Sequence, residues 1–176
     1  MRRRVGISEV VRSLEARPKL MIVLGSGGHT AQMIRLTEML HPWFDFEYVI
    51  NDDDEKSVRK IKFPGDIRVV HRPRRKNDKS VARTVFLTIL SVRDAFGVVR
   101  NSEAVGIVSA GPGLAVPLFL WAGVFRKKRI FIESWSRVTR RSAAGRLCYY
   151  LSDLFFIQWP ELAGKYPRAI YAGRFG

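Results

Sequence analysis

A wholly apolar run followed by a glycine-rich turn constrains the fold of this 176-residue chain more than any other feature. Residues 20–24 are all apolar, which is typical of a strand buried inside a parallel sheet. Residues 25–29 read Gly-Ser-Gly-Gly-His, and residues 31–40 then carry apolar side chains at helical spacing. Free N–H groups at such a helix start favour an anion, so the turn predicts a phosphate site, with a turn needed only for packing as the alternative.

Apolar strands and amphipathic helices alternate along the rest of the chain. The predicted strands are residues 20–24, 46–50, 67–71, 105–109, 129–132, 154–158 and 169–172. The predicted helices are residues 31–40, a short charged helix capped by residues 52–54, residues 80–99 with an apolar stripe that includes Val81, Val85 and Ile89, an apolar helix after Gly113, and residues 142–151. This order predicts an α/β fold, a doubly wound, Rossmann-like parallel sheet whose ligands lie beyond the carboxyl ends of its strands.

The first residues form a different kind of segment, so the sequence divides into residues 1–18 and a Rossmann-like domain over residues 19–176. Ile7 and Val11 fall at helical spacing among arginines that include Arg3 and Arg4, and Pro18 stops the pattern. A basic amphipathic helix of this kind either lies on an anionic membrane surface or packs on the domain's own core. No stretch is apolar over the ~18–20 residues of a transmembrane helix, and no secretory signal is expected.

Charge and cysteine content limit the classes of partner. Lysine and arginine number 31 against 16 acidic residues, a net charge of +15, which favours nucleic acid, an acidic membrane or a phosphorylated ligand over a mere solubility charge. The basic residues are spread over many elements without a DNA or RNA motif, so no nucleic acid is expected as partner. The single cysteine, Cys148, excludes a disulfide framework and a cysteine-based zinc cage, and neither metal nor cofactor is expected.

Two more loops follow predicted strands, and the first of them is again rich in glycine. Gly111 and Gly113 flank a proline that suits the first turn of a helix. Glu133 and Arg137 follow the next strand, where a carboxylate binds sugar hydroxyls or orients a base and a guanidinium binds phosphate. A simple ion pair between Glu133 and a neighbouring arginine is the alternative. His29 ends the first glycine turn, where a histidine is either a general base or a donor to phosphate, unless it is only structural.

Common cofactor motifs do not fit the first turn. A dinucleotide fingerprint needs glycine where Thr30 stands, and a P-loop needs a lysine that is absent. Apolar residues rimmed by basic ones suggest a membrane contact instead: Arg74 and Arg75 precede the helix that holds Phe86, and Trp121 precedes a basic run at residues 126–129. Acidic headgroups add about 1 kcal/mol per basic residue near such a surface. In the alternative interpretation these apolar residues belong to the core.

Several short motifs occur together in order, and the set resembles a known family. They are Gly-Ser-Gly-Gly-His-Thr at 25–30, Gly-Pro-Gly at 111–113, Ile-Glu-Ser at 132–134, Gln-Trp-Pro-Glu-Leu at 158–162, Tyr-Pro at 166–167 and Tyr-Ala-Gly-Arg at 171–174. Over residues 19–176 the chain resembles the membrane-anchoring, acceptor-side subunit of two-subunit glycosyltransferases. The eukaryotic member serves the enzyme that adds the second N-acetylglucosamine to dolichol diphosphate, and bacterial PssD-type relatives serve exopolysaccharide assembly on undecaprenyl diphosphate.

The resemblance implies a fold, a reaction and roles for residues. The fold would be the N-terminal half of a GT-B enzyme, which binds a polyprenyl-diphosphate-linked acceptor, while a separate subunit binds the UDP-sugar. His29 would be the base of an inverting transfer and Glu133 would contact the acceptor sugar. The acceptor diphosphate would be held by Gly27, Gly28, Thr30, Gly111, Gly113, Ser134 and Arg137, and the partner subunit by Trp159, Tyr171 and Arg174.

The leading hypothesis is therefore a glycosyltransferase subunit that is active only with its partner. It would be a peripheral or monotopic protein on the cytoplasmic face of the bacterial inner membrane or of the endoplasmic reticulum. Eukaryotic members of the family usually begin with a transmembrane helix, whereas residues 2–17 are basic, which favours a bacterial relative or a member anchored by its interfacial helix. The alternatives are a self-contained nucleotide-binding Rossmann enzyme and, with less support, a basic nucleic-acid-binding protein.

Overall fold

The computed structural model describes residues 17–73 and 80–174. The predicted helix over residues 1–18 lies almost wholly outside the described residues, with Arg3, Arg4, Ile7 and Val11. Arg74 and Arg75 lie outside them too. Within the described part of the chain, no helix has both the length and the hydrophobicity needed to cross a bilayer.

Seven parallel strands form one sheet in the order β3-β2-β1-β4-β5-β6-β7. The strands are β1 (Lys19–Val23), β2 (Asp45–Asn51), β3 (Gly65–Val70), β4 (Gly106–Ser109), β5 (Lys128–Ile132), β6 (Leu154–Ile157) and β7 (Ile170–Tyr171). The helices are α1 (Gly28–Leu40), α2 (Glu55–Val58), α3 (Val81–Arg100), α4 (Ala115–Val124) and α5 (Ala143–Leu151), followed by a 3-10 helix (Pro160–Lys165). The predicted doubly wound sheet is confirmed.

The central strand β1 is apolar throughout because both of its faces are covered. Successive side chains of a strand point to opposite faces, and Met21 and Val23 therefore enter the core beneath α3, α4 and α5. Leu20 and Ile22 enter the second core, which lies against α1. The continuous apolar run is the consequence of this double burial.

The strand order reverses between β1 and β4, which are neighbours in the sheet, with Val23 opposite Ser109. The chain leaves β1 toward α1 on one face and leaves β4 toward α4 on the other face. A crevice therefore opens between the loop after β1 and the loop after β4. These are the two predicted glycine loops.

Helix α3 departs from the predicted amphipathic pattern in its first half. Its apolar stripe, Val81, Val85 and Ile89, is exposed rather than buried. The residues that α3 buries are Ser91, Ala95 and Val99 in its second half. Only this second half lies over the sheet and against α4, so the first half projects with an apolar surface in solvent.

Candidate functional site

His29 lies in the first turn of α1, at the crevice between β1 and β4. Its Nδ1 is 2.5 Å from the carbonyl oxygen of Ala110 in the loop after β4. A carbonyl oxygen only accepts hydrogen bonds, so Nδ1 carries the proton and Nε2 keeps its lone pair. The imidazole is thus held in the tautomer that accepts a proton at Nε2.

The environment of His29 favours its neutral form. Burial lowers the pKa of His29 below its ordinary value of 6.5, and the charge of Arg137 lowers it further. The hydrogen bond to Ala110 and the charge of Glu133 oppose this shift, but burial has the larger effect. At pH 7 the ring is therefore mostly uncharged and available as a proton acceptor.

The two glycine loops touch each other around this histidine, and the contact requires glycine. A Cβ on Gly25 would lie 2.6 Å from Cβ of Pro112. Gly111 has a φ of +99°, and a Cβ there would lie 2.9 Å from Cε1 of His29. Since both side chains would clash, the glycines allow the close approach that positions the imidazole.

A small pocket of 240 Å³ opens beside His29. Its lining includes the predicted Gly111 and Gly113, together with Ser26, Asn51, Arg72, Pro73, Pro112 and Leu114. Sequence reasoning missed Asn51, although a polar residue that ends an apolar strand was a usable signal. Asn51 is only 5% exposed, and its Oδ1 has no hydrogen-bond partner among the described residues. Arg72 comes two residues after β3, and its Nε donates to Asp53 over 2.8 Å.

The start of α1 is shaped to receive an anion. Gly27 has a φ of +71°, and α1 begins without a side-chain cap, so N–H groups of its first turn are available. Gly27 and Gly28 are exposed, and Gly28 lies beside the indole nitrogen of Trp135. Gly113 is likewise exposed, before the start of α4.

Thr30 has a different place from the one predicted. It is fully buried, its hydroxyl donates to the carbonyl oxygen of Gly25, and its Oγ1 lies 2.7 Å from Oγ of Ser57. Ser57 in turn donates to Asp54 over 2.7 Å. The Thr30 hydroxyl therefore closes the turn from the inside, so its side chain is engaged within the protein and the predicted phosphate contact is not one that this hydroxyl provides.

Glu133 also departs from its predicted role. Its side chain is 0% exposed, and its carboxylate accepts hydrogen bonds from the N–H of Ser134 (3.0 Å), the N–H of Ser142 (3.3 Å) and the hydroxyl of Tyr166 (2.6 Å). The predicted contact with an acceptor sugar is contradicted, because the carboxylate is enclosed by these donors. Glu133 instead fixes the loop after β5 and acts on His29 only through its charge.

The loop after β5 contributes its remaining predicted residues unequally. Ser134 is buried beside Gly111, its N–H is bound to Glu133, and its hydroxyl lies 3.1 Å from the hydroxyl of Ser136. Arg137 is exposed, and its charge reaches His29. Of this loop, Arg137 is thus the group best placed to meet an anion in the crevice.

The predicted partner residues lie at the β7 side of the sheet. The indole N–H of Trp159 donates to the carbonyl oxygen of Trp135 over 2.6 Å, and the guanidinium of Arg174 lies 5.9 Å from the ring centroid of Trp159. Tyr171 is exposed on β7, which pairs with β6 alone and is an edge strand. Trp159 therefore links the outer edge of the sheet to the loop that borders the crevice.

The two described residues that were predicted to touch a membrane differ in how exposed their side chains are. Phe86 is 59% exposed in the projecting half of α3. Trp121 is partly buried, its indole N–H donates to the carbonyl oxygen of Val92 over 2.9 Å, and its ring meets Phe96 edge-on. Trp121 therefore packs between α3 and α4, and Phe86 is the more accessible of the two for the predicted membrane contact.

The sheet order and the crevice between β1 and β4 are those of a Rossmann-like domain, the fold of one half of a GT-B enzyme. Solved structures with the same fold include MurG from Acinetobacter baumannii, with a TM-score of 0.67 at 11% identity over 82% of this chain and 42% of that one. A UDP-GlcNAc 2-epimerase from Neisseria meningitidis bound to UDP-GlcNAc has a TM-score of 0.63 at 13% identity over 87% of this chain and 46% of that one. The chain spans less than half the length of these structures.

The sequence itself identifies the family. Residues 20–175 match the family described as "Oligosaccharide biosynthesis protein Alg14 like". The human protein named "UDP-N-acetylglucosamine transferase subunit ALG14" is 34% identical over 94% of this chain and 88% of its own length. The protein of that name from Yarrowia lipolytica is 35% identical over 92% of this chain and 83% of its own length. The chain belongs to the Alg14 family, and the predicted resemblance is confirmed.

Proposed function

We propose that this chain is the acceptor-binding, membrane-attached subunit of an inverting two-subunit glycosyltransferase. The donor would be a UDP-sugar, and the relatives named as subunits of a UDP-N-acetylglucosamine transferase support N-acetylglucosamine as its sugar. The acceptor would be a sugar linked to a polyprenyl diphosphate, as in the assembly of dolichol-linked oligosaccharides. A separate subunit would hold the donor.

The observation that carries this proposal is the state of His29 between the two glycine loops. Its Nδ1–H is anchored on Ala110, its lowered pKa keeps it neutral, and it lines the pocket beside the start of α1. In the proposed reaction the acceptor hydroxyl attacks the anomeric carbon of the donor while Nε2 takes the hydroxyl proton. The bond from that carbon to the UDP phosphate oxygen breaks, UDP leaves with the electron pair, and the configuration inverts.

Positive groups around the pocket support binding of the acceptor diphosphate. The free N–H groups at the start of α1 and the backbone at Gly27, Gly28 and Gly113 form one wall of the anion site. Arg72 and Arg137 add positive charge, and Arg72 lines the pocket directly. Asn51 supplies an amide that can hydrogen-bond a sugar hydroxyl.

Membrane attachment is part of the same proposal. The exposed apolar half of α3, with Phe86 at its surface, would enter the headgroup region, and the net charge of +15 would favour anionic lipids. The basic segments of residues 2–17 and 72–79 would add to this attraction. The expected location is the cytoplasmic face of the endoplasmic reticulum or of a bacterial inner membrane.

Dependence on a partner is a further part of the proposal. Tyr171 lies on the strand β7 at the edge of the sheet, and Arg174, which follows it, lies over the ring of Trp159; these three residues would contact the donor subunit. The purified chain alone is expected to transfer no sugar. Transfer by the chain alone, or tight binding of UDP to it, would instead favour a self-contained nucleotide-binding enzyme.

His29→Ala, assayed with the donor subunit present, tests the general base. We expect kcat to fall about 10²–10⁴-fold, the usual contribution of a positioned base, with little change in thermal stability. His41→Ala is the matched control, because His41 is exposed and stacks on Phe63 outside the pocket. Turnover of His29→Ala close to that of the control would refute the proposed role of His29.

A further inference from the structure

An apolar groove lies next to the pocket at His29, on the face of the sheet that α3, α4 and α5 cover. The groove has a volume of 360 Å³ and is lined by α3, α4 and α5. Pro73 and Gly113 line both the groove and the pocket. The two spaces therefore border each other at these two residues, so an elongated ligand with its head in the pocket would extend over the groove.

Small side chains keep the groove open where the three helices meet. Gly113, Ser91, Ala143 and Ala144 stand at positions where larger residues would fill the space. Among the described residues on its walls, Thr88 and Ser91 are the ones with polar side chains, and Thr88 donates to the main chain of its own helix over 2.8 Å. The groove therefore offers an uncharged surface, in contrast to the basic pocket beside it.

This arrangement fits an amphiphile with an anionic head and a hydrocarbon chain. Arg72 and the start of α1 lie at the head end, whereas none of the described residues that line the groove carries a charge. We propose that the groove binds the first isoprene units of the acceptor's polyprenyl chain, which leave the bilayer to lie between α3, α4 and α5. This inference rests on the proposed function, since that function supplies the lipid diphosphate.

The size and shape of the groove are consistent with this occupant. Its volume lies inside the range of about 300–1,000 Å³ that is usual for ligand sites. The groove is concave, whereas the exposed row at Val85, Phe86 and Ile89 in the first half of α3 is not part of its lining. A bilayer surface would meet that row, and an extended chain would fill the groove. Each buried methylene contributes roughly fourfold to an equilibrium constant, so a few carbons strengthen binding measurably.

Two substitutions alter the groove without touching the pocket. Ala143→Trp would fill the groove from the exposed start of α5, and Leu147→Glu would place a charge on its wall, where Leu147 is 56% exposed. Met39→Glu is the matched control, because Met39 is 60% exposed on α1, which packs on the opposite face of the sheet. Thermal unfolding of each variant checks that the fold is retained.

The assay compares two acceptors in detergent, with the donor subunit and UDP-sugar present. One acceptor carries a polyprenyl chain, and the other carries the same sugar diphosphate as a methyl ester. We expect both groove variants to raise KM at least tenfold for the polyprenyl acceptor and to leave KM for the methyl ester and the kcat values nearly unchanged. The control should match the original protein with both acceptors.

Three results separate the possible failures. Equal changes in KM for both acceptors, or no change in KM for either, would overturn the groove proposal. Unchanged KM in detergent combined with weaker flotation on anionic liposomes would also overturn it and would assign the groove to the bilayer surface. If the original protein with its partner transfers sugar to neither acceptor, the proposed function itself fails. The groove is then tested separately, by binding of a fluorescent polyprenyl diphosphate to the original protein and to the same variants.

Discussion

Replacing Glu133 by alanine tests whether this buried carboxylate supports the fold or touches the substrate. The change would leave the N–H groups of Ser134 and Ser142 and the hydroxyl of Tyr166 without their acceptor. An unsatisfied buried donor costs about 1–3 kcal/mol, and part of this cost is relieved when water enters the vacated space. For three donors the full cost would be about 3–9 kcal/mol, so with partial relief by water we expect the free energy of unfolding to fall by about 3–5 kcal/mol.

Two companion variants divide this effect among its contacts. Tyr166→Phe removes one hydrogen bond to a charged group and should cost about 1.5–3 kcal/mol. Glu133→Gln keeps one oxygen as an acceptor but turns an amide NH₂ toward another donor, so its cost should lie between the other two. Burial and the charge of Glu133 raise the pKa of Tyr166, so the tyrosine stays protonated and its hydrogen bond persists throughout the neutral range.

Urea unfolding of the full chain, followed by circular dichroism, measures these differences at constant slope. Sugar transfer is assayed with the partner at a temperature where each variant remains folded. Because Glu133 supports the fold in this interpretation, Glu133→Gln should keep most of its transfer activity when it is assayed as folded protein. A catalytic acid replaced by glutamine would lose its activity even when folded. A Glu133→Ala variant with an unchanged urea midpoint and abolished transfer would refute the structural role and restore a contact with the acceptor.

Four other changes probe the pocket, its loops and the apolar surface. Because burial lowers the pKa of His29, kcat/KM should rise with pH and level off, with its acid limb below about pH 6.5; a limb above that value would contradict the neutral base. Gly111→Ala combines a positive φ with a clash on His29 and should cost about 1–3 kcal/mol in urea unfolding, with loss of transfer. Phe86→Asp should weaken flotation on anionic liposomes without loss of stability. Trp121→Phe should leave flotation unchanged and lower stability by about 1 kcal/mol, because it removes the hydrogen bond to α3.

Much of the fold follows from local patterns, because buried parallel strands and the helices that cover them leave strong periodic signals. Residues 20–24 are apolar on both faces since both cores meet at β1. Helix α3 shows that local patterns do not predict which part of a helix is buried. Its stripe of Val81, Val85 and Ile89 has the spacing of a buried face, but only the second half of the helix lies over the sheet. Periodicity marks an apolar face without telling what covers it.

The site was predictable to the level of loops and not to the level of side chains. The glycines at 25 and 111 mark two of the strand-end loops in the sequence, and the structure places Gly25 against Pro112 and Gly111 against His29. Thr30 and Glu133 lie beyond strand ends, where ligand-binding residues are expected. Both side chains form hydrogen bonds with nearby main-chain groups instead. Whether a polar side chain faces a ligand or caps its own loop depends on contacts between distant segments, which spacing does not encode.

The two glycine loops, although similar in sequence, perform different tasks in the crevice. The first supplies the histidine and the free N–H groups at the start of α1. The second supplies the carbonyl of Ala110, which fixes the tautomer, and the positive φ of Gly111, which leaves room for the imidazole. Since β1 and β4 are paired directly, a shift of either strand would break the Nδ1 contact and remove the reason for Nε2 to be the basic nitrogen. If His29 is the base, as proposed, its function depends on the point where the strand order reverses, and substitutions that loosen β4 should weaken transfer even where they lie far from the pocket.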